Sequence, residues 1–283
     1  MSLACHVERS RSPSIDPVLV IGGVLQGRPG WSVRREHVLP LADLMSVDVP
    51  GFVVVSPTGA GPSIDHLCQV VTALLDDLGV TRVNFFGYSL GSLIAYRFAQ
   101  RSPARVARLA LGGVPLGIAS RLISHLELGA ARTAGGEPQA LAESLADAFL
   151  EPVQSQAVRN GEVVHRLVRR LLVRAMSTTV TALPARRYSV TRELDPAGGL
   201  DDVPTLVFCG VHDTLGSPAQ HRRFAANISD CRFAVVGDAD HWIFLERRED
   251  TSDLVMRHFT GQSLAQLSCL VDFAAGDAIA NTG

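Results

Sequence analysis

The sequence predicts an α/β protein, a doubly wound and mostly parallel sheet with a helical lid inserted between two of its strands. Three observations predict it. Short continuous apolar runs, such as Pro17-Val18-Leu19-Val20-Ile21 and Val83-Asn84-Phe85-Phe86, alternate with stretches of helical apolar spacing, the pattern of strands buried on both faces by crossover helices. From about residue 115 to residue 200 the strand runs stop and the period becomes helical. Between a strand and a helix sits Gly87-Tyr88-Ser89-Leu90-Gly91, a G-x-S-x-G pattern in which a sharp corner lifts a serine to the sheet's carboxyl edge and the glycines leave room for that corner.

Composition narrows the class. The 283 residues suffice for one large α/β unit, and 47% apolar with 19% charged residues describes a folded chain. A net charge of −2 offers no electrostatic case for nucleic acid. All 26 basic residues are Arg, which excludes Schiff-base or pyridoxal chemistry through a lysine. Cys5, Cys68, Cys209, Cys231 and Cys269 show no C-x-x-C spacing, which argues against a disulfide framework or a zinc site and for a reducing compartment. The polar start lacks a leader-like apolar segment and no stretch approaches the length of a membrane span, so a cytoplasmic location with no membrane partner is expected.

In order, residues 1–16 read as a loose polar lead-in. The first strand ends in Gly22-Gly23-Val24-Leu25, where a backbone free of bulk can approach a reacting group. Trp31 to Leu44 has the spacing of a first crossover helix, and Gly51-Phe52-Val53-Val54-Val55-Ser56 that of the next buried strand. Ser63 or Asp65 can cap the helix whose stripe is Leu67, Val70, Val71, Leu74, Leu75 and Leu78, closed by Gly79. After the Ser89 corner comes a helix to Gln100, ended by Pro103, and Val106 to Gly112 is another strand. In the insertion, Leu122, Ile123, Leu126 and Leu128, then Leu141, Leu145 and Phe149, then Val163, Val164, Leu167, Leu171 and Leu172 mark lid helices. Their excess of arginines reads as a solvated face or as a docking surface for an acidic carrier. Strands return at Val203–Gly210 and Cys231–Val236, and a helix covers about Glu249 to Phe259. Residues 261–283 are one further helix or a loose tail. The chain thus divides into a core (17–115 and 200–260), a lid (116–199) and a C-terminal extension.

A serine hydroxyl is a weak nucleophile and needs a base, which in turn needs an orienting acid. Of nine histidines, only His241 follows a late strand at the carboxyl edge; His66, His125, His165 and His221 lie in helical stretches and read as solvent-facing or core residues. Asp213 lies beyond the preceding strand, with Asp238 and Asp240 as rivals that stand too close to His241 in sequence to reach the far ring nitrogen. Cys209, inside a strand, reads as a small core residue.

These segments resemble the α/β-hydrolase superfamily over roughly residues 17–260, on Gly87-Tyr88-Ser89-Leu90-Gly91, Leu74-Leu75-Asp76-Asp77-Leu78-Gly79-Val80, Ser102-Pro103-Ala104-Arg105-Val106-Ala107-Arg108-Leu109, Gly210-Val211-His212-Asp213 and Asp240-His241-Trp242. The resemblance implies the α/β-hydrolase fold and a Ser89, His241 and Asp213 triad. The oxyanion would be bound by the N–H groups of Leu90 and of Gly23 or Val24, with Tyr88, Leu25 and Trp242 against substrate and no metal or organic cofactor. Two departures stand out: Ile21 precedes Gly22-Gly23 where the family has His-Gly, and Ser56-Pro57 replaces the Asp of the next loop. The expected activity is hydrolysis of an ester or thioester of a largely apolar small molecule, possibly a carrier-bound acyl group. The alternatives are a lyase or cyclase of secondary metabolism that uses the same base, and a non-catalytic receptor, which the intact Ser, His and Asp disfavour.

Overall fold

The computed structural model describes residues 4–23, 33–49, 55–56, 63–118, 120–125, 138–150, 157–181, 189–190 and 196–279. Its strands are Ala4–Glu8 (β1), Val18–Ile21 (β2), Leu44–Asp48 (β3), Val55–Ser56 (β4), Val83–Tyr88 (β5), Val106–Gly112 (β6), Ser189–Val190 (β7), Thr205–Gly210 (β8), Cys231–Val236 (β9) and Leu270–Ala275 (β10). Eight of them form one sheet in the order β1-β3-β2-β5-β6-β8-β9-β10, and β4 pairs with β7 in a separate ribbon. The six inner strands are parallel, while β1 on β3 and β10 on β9 are antiparallel edges.

Inner strands such as β2, β5 and β8 are buried at every position, which is why they appear as nearly continuous apolar runs. The helices are Arg35–Val38 (α1), Ile64–Asp77 (α2), Leu90–Arg101 (α3), Pro138–Asp147 (α4), Gly161–Thr181 (α5), Pro218–Ala225 (α6), Ile243–Glu246 (α7) and Arg248–Phe259 (α8), and residues 120–125 are also helical. Helix α2 buries Ile64, Leu67, Cys68, Val71 and Leu75. Ser63 caps it by accepting from the His66 N–H at 3.1 Å, and Gly79 leaves it with φ 69°. Between β6 and β8, α4 and α5 pack on each other through Leu141 and Leu145 against Val164, Val168 and Leu172, spaced four apart. Val163 and Leu167, expected in that stripe, face outward instead, one residue round the helix from the buried row.

Four expectations are corrected. The lead-in contains β1, and the C-terminal extension contains β10 rather than a helix or a loose tail. These edge strands are only partly covered, β1 with no buried position and β10 with one, so neither carries the apolar run of a strand buried on both faces. Of the expected helix at 31–44, whose first two residues lie outside the described residues, the described part is helical only over the four residues of α1, and Leu44, placed at its end, opens β3. Strand β3 therefore precedes the apolar run 51–56, of which residues 51–54 lie outside the described residues and Val55–Ser56 belong to the ribbon. Among the described residues, no helix is long and apolar enough to cross a membrane.

Candidate active site

Parallel pairing sets Ile21 of β2 against Gly87 of β5, so the residues two beyond each, Gly23 and Ser89, emerge side by side at the sheet's carboxyl edge. The chain proceeds from β2 to β3 on one side and later to β5 on the other, which opens a crevice at this point. Ser89 turns the chain into α3 with φ 50° and ψ −122°, an unfavourable backbone region for a residue with a Cβ, costing about 1–3 kcal/mol. Packing imposes it. A Cβ on Gly91 would fall 2.1 Å from the Ile21 carbonyl oxygen, so glycine lets α3 lie directly against β2. Ser89 N–H is tied to the Gly112 carbonyl at 2.8 Å, and the Ser89 carbonyl accepts from Ser92 N–H at 2.9 Å and from the Ser92 hydroxyl.

Leu90 opens α3, and its N–H is among those a helix leaves without an internal partner. Gly23 is the other near backbone group: a Cβ there would lie 3.0 Å from Ser89 Cβ and 3.4 Å from its Oγ. Val24 and Leu25 lie outside the described residues.

His241 and Asp213 approach from the other half of the sheet. Gly210 of β8 pairs with Val236 of β9, and the loops beyond both strands turn over the same edge. Ser89 Oγ lies 3.0 Å from His241 Nε2, and His241 Nδ1 lies 3.0 Å from Asp213 Oδ2. A carboxylate only accepts, so Nδ1 carries the ring proton and Nε2 presents a lone pair to the serine hydroxyl. The second Asp213 oxygen accepts from Leu215 N–H at 2.9 Å and Gly216 N–H at 3.1 Å, which pins the acid loop. Exposures of 9% for Ser89, 3% for Asp213 and 3% for His241 leave only the serine near the surface of the crevice. A hydroxyl so placed can give its proton to the imidazole as it attacks a carbonyl, with N–H groups beside it for the oxyanion.

Other expected site residues fall differently. Tyr88, expected against substrate, is buried; its hydroxyl donates to the His241 carbonyl at 2.6 Å and its ring packs on Phe244 at 4.7 Å, so it supports the histidine loop from below. Burial, and then the charge of Asp213, pushes its hydroxyl pKa well up, so it stays a donor. Trp242 is nearly buried, edge-on to His241 at 5.5 Å. Asp238 points outward with its side chain 72% exposed, 3.8 Å from Arg247. Cys209 is fully buried and burial raises its thiol pKa strongly, as a core residue requires.

Sequence reasoning missed a cluster behind His241. Asp240 Oδ1 accepts from Trp242 N–H at 2.7 Å, and Oδ2 meets His165 Nε2 of α5 at 2.5 Å. Glu246 Oε2 accepts from the Asp240 N–H at 2.9 Å. Burial, and then the charge of Asp240, pushes Glu246 up to about 10, so it is a neutral acid at pH 7. Burial also raises Asp240, but hydrogen bonds from His165, Glu246 and the Trp242 N–H outweigh that and leave it below the usual range. Among the described residues, these three are the group of His, Cys, Asp and Glu whose donor atoms lie within 4.8 Å of one another. The only sequence signal was the pair of acids, Asp238 and Asp240, just before His241; nothing marked His165, 75 residues from Asp240.

Comparison with known proteins agrees with this architecture. The chain is 24% identical over 257 residues to the dihydrolipoyllysine-residue acetyltransferase component of an acetoin cleaving system from Cupriavidus necator, covering 87% of this chain and 64% of that protein's length. It is 28% identical over 212 residues to a pimeloyl-[acyl-carrier protein] methyl ester esterase from Aromatoleum aromaticum, covering 69% of this chain and 79% of that one. The crystal structure of the enol-lactonase from Burkholderia xenovorans shares the fold, with TM-score 0.65 and 23% identity over 91% of this chain and 96% of that one. The family described as the alpha/beta hydrolase fold matches residues 16–248, most of the sheet and both loops that meet Ser89, and the chain belongs to that family.

Proposed function

We propose that the protein is a serine hydrolase that cleaves an ester or thioester of a largely apolar small molecule, possibly a carrier-bound acyl group. The observation that carries this is the chain of two 3.0 Å contacts from Ser89 through His241 to Asp213. Ser89 Oγ attacks the carbonyl carbon as His241 Nε2 takes its proton, and the N–H groups of Leu90 and of Gly23 or Val24 hold the oxyanion. Collapse breaks the bond to the leaving alkoxide or thiolate, which takes the proton from His241 and departs. Water then attacks the acyl-enzyme with His241 again as base, freeing the acid and Ser89. Asp213 holds the Nδ1–H throughout and stabilises the imidazolium.

An ester substrate is also supported by the relative named a methyl ester esterase, and a carrier-bound acyl group by the carrier in that name. The helices inserted between β6 and β8 support an apolar acyl group, since the insertion in this fold supplies walls over the crevice. The five free cysteines support the cytoplasm as its compartment.

The test is incubation with short and medium acyl esters, with intact mass measured for an acyl adduct, and with an organophosphonate probe. An adduct on Ser89, and turnover that depends on acyl length, are the expected results. Equal labelling of wild type and Ser89→Ala would overturn the proposal.

A further inference from the structure

Behind the base lie two buried carboxyl groups and one histidine that the hydrolytic cycle does not use. Asp240 and Glu246 are each 4% exposed. Their oxygens have defined partners, the Trp242 N–H and His165 for Asp240 and the Asp240 N–H for one oxygen of Glu246, except that Glu246 Oε1 is buried with no acceptor-type bond. Two buried carboxyl groups whose oxygens lie within 4.8 Å of each other repel strongly as a pair of anions, which favours a proton on one of them. A protonated Glu246 turns the unpartnered oxygen into a donor toward the Asp240 carboxylate, which leaves one anion facing one histidine.

The cluster also joins two parts of the fold. His165 belongs to α5 of the inserted helices, whereas Asp240 immediately precedes His241. A second link runs beside it, from Arg159 N–H to the Asp238 carbonyl at 2.9 Å. The start of α5 is thus bonded to the loop that carries the base at two points, Asp238 and Asp240. Movement of α5 away from the sheet must break these bonds or drag the loop with it.

We propose that Glu246, Asp240 and His165 form a proton-sharing brace that positions His241 and couples it to the inserted helix α5. Asp240 is its centre. Its backbone N–H is held by Glu246, one side-chain oxygen by the start of α7, and the other by α5. None of the three bonds Ser89 or the His241 ring, whose nitrogens are taken by Ser89 and Asp213; they are positioning residues. The role in turnover rests on the hydrolase reading above, but the coupling itself does not.

The test has two arms. Hydrogen exchange on the full-length protein reads the coupling without any turnover. Asp240→Ala and His165→Phe should each speed exchange at residues 238–242 and at the N-terminal turns of α5 together by tenfold or more, with the sheet strands unchanged. In ester hydrolysis the same variants should lose kcat by about tenfold with KM within about twofold, because the base and not the binding site is displaced. Glu246→Ala should behave alike, and Glu246→Gln should recover most of the loss, since its amide donates to Asp240 and its oxygen still accepts the Asp240 N–H. Exchange that rises in only one of the two segments would overturn the brace. Glu246→Gln as damaging as Glu246→Ala, or a Tm that drops on treatment with EDTA, would replace the shared proton by a bound cation. A wild type that hydrolyses no ester while the exchange arm behaves as stated would defeat the hydrolase reading and leave the brace standing.

Discussion

Ser89 and His241 meet across 3.0 Å, yet the segments that carry them are built from different materials. Every residue from Val83 to Tyr96 is buried, the stretch contains no acid, base or histidine, and Ser89 is held at φ 50° by backbone contacts and by the absence of a Cβ on Gly91. The segment Asp238 to Glu246 instead holds three acids and a histidine, with His241 bonded to Asp213 and Tyr88 and Asp240 bonded to His165. The difference follows from what each group must do. A nucleophile needs a fixed position, which steric packing supplies. A base must change charge during each cycle in a chosen tautomer, and only charged or hydrogen-bonding neighbours can set that.

The sharpest way to break this comparison is to change one residue on each side of the corner. Ser89→Ala should reduce ester turnover by ~10⁴-fold or more and abolish phosphonate labelling while the protein remains folded by circular dichroism. Gly91→Ala should do the reverse and lose the fold, because its Cβ would strike the Ile21 carbonyl in the centre of the sheet; soluble yield and Tm are the readouts. A Gly91→Ala protein with wild-type Tm would show that packing does not hold the elbow.

On the base side, Asp213→Asn should reduce kcat by ~10³ to 10⁴-fold with little change in Tm, since the amide favours the wrong ring tautomer. Asp238→Asn, whose parent side chain is 72% exposed, should stay within about twofold of wild type. If the two results were exchanged, the acid would be misassigned.

A pH series sharpens the contrast within α8, the helix after the base loop. His258 is fully buried, and burial, followed by the charges of Arg108 and Arg232, lowers its pKa from 6.5 to about 3. The folded state therefore holds it neutral, while the unfolded state takes up a proton below about pH 6.5. That contribution to stability is complete above pH 6.5 and is lost as pH falls toward 3, at up to about 1.4 kcal/mol per pH unit. Urea unfolding from pH 7 to 4 measures the slope, and His258→Leu should flatten it; an unaltered slope would place the acid sensitivity elsewhere.

A milder loss than that of Asp213→Asn is expected from Tyr88→Phe, which removes one buried hydrogen bond to the His241 carbonyl. A loss of about 1 kcal/mol in stability and of a few-fold in kcat is expected, with KM unaffected. A change confined to KM would instead return Tyr88 to the substrate wall.

Much of this protein is written in local pattern. The mostly apolar runs of β2, β5, β6, β8 and β9, interrupted only by single polar residues such as Asn84, Arg108 and Arg232, report burial on both faces, which a stretch of sequence carries by itself. The spacing Gly87-x-Ser89-x-Gly91 reports a corner, since the steric requirement is satisfied within five residues. The order Ser89, Asp213, His241 could be read because each residue follows its own strand. What the sequence leaves undetermined depends on partners distant along the chain. Strands β1 and β10 exist because β3 and β9 offer them an edge, and their own residues alternate too weakly to announce it. Strand β3 was masked by a more apolar run downstream, although Leu44–Asp48 is the segment that pairs with β2. Tyr88 carries no sign that its hydroxyl serves a carbonyl 153 residues away, and His165 looks like any helical histidine until α5 is laid against Asp240. Burial periodicity is a property of a segment; a hydrogen bond between two polar side chains is a property of the fold that brings them together.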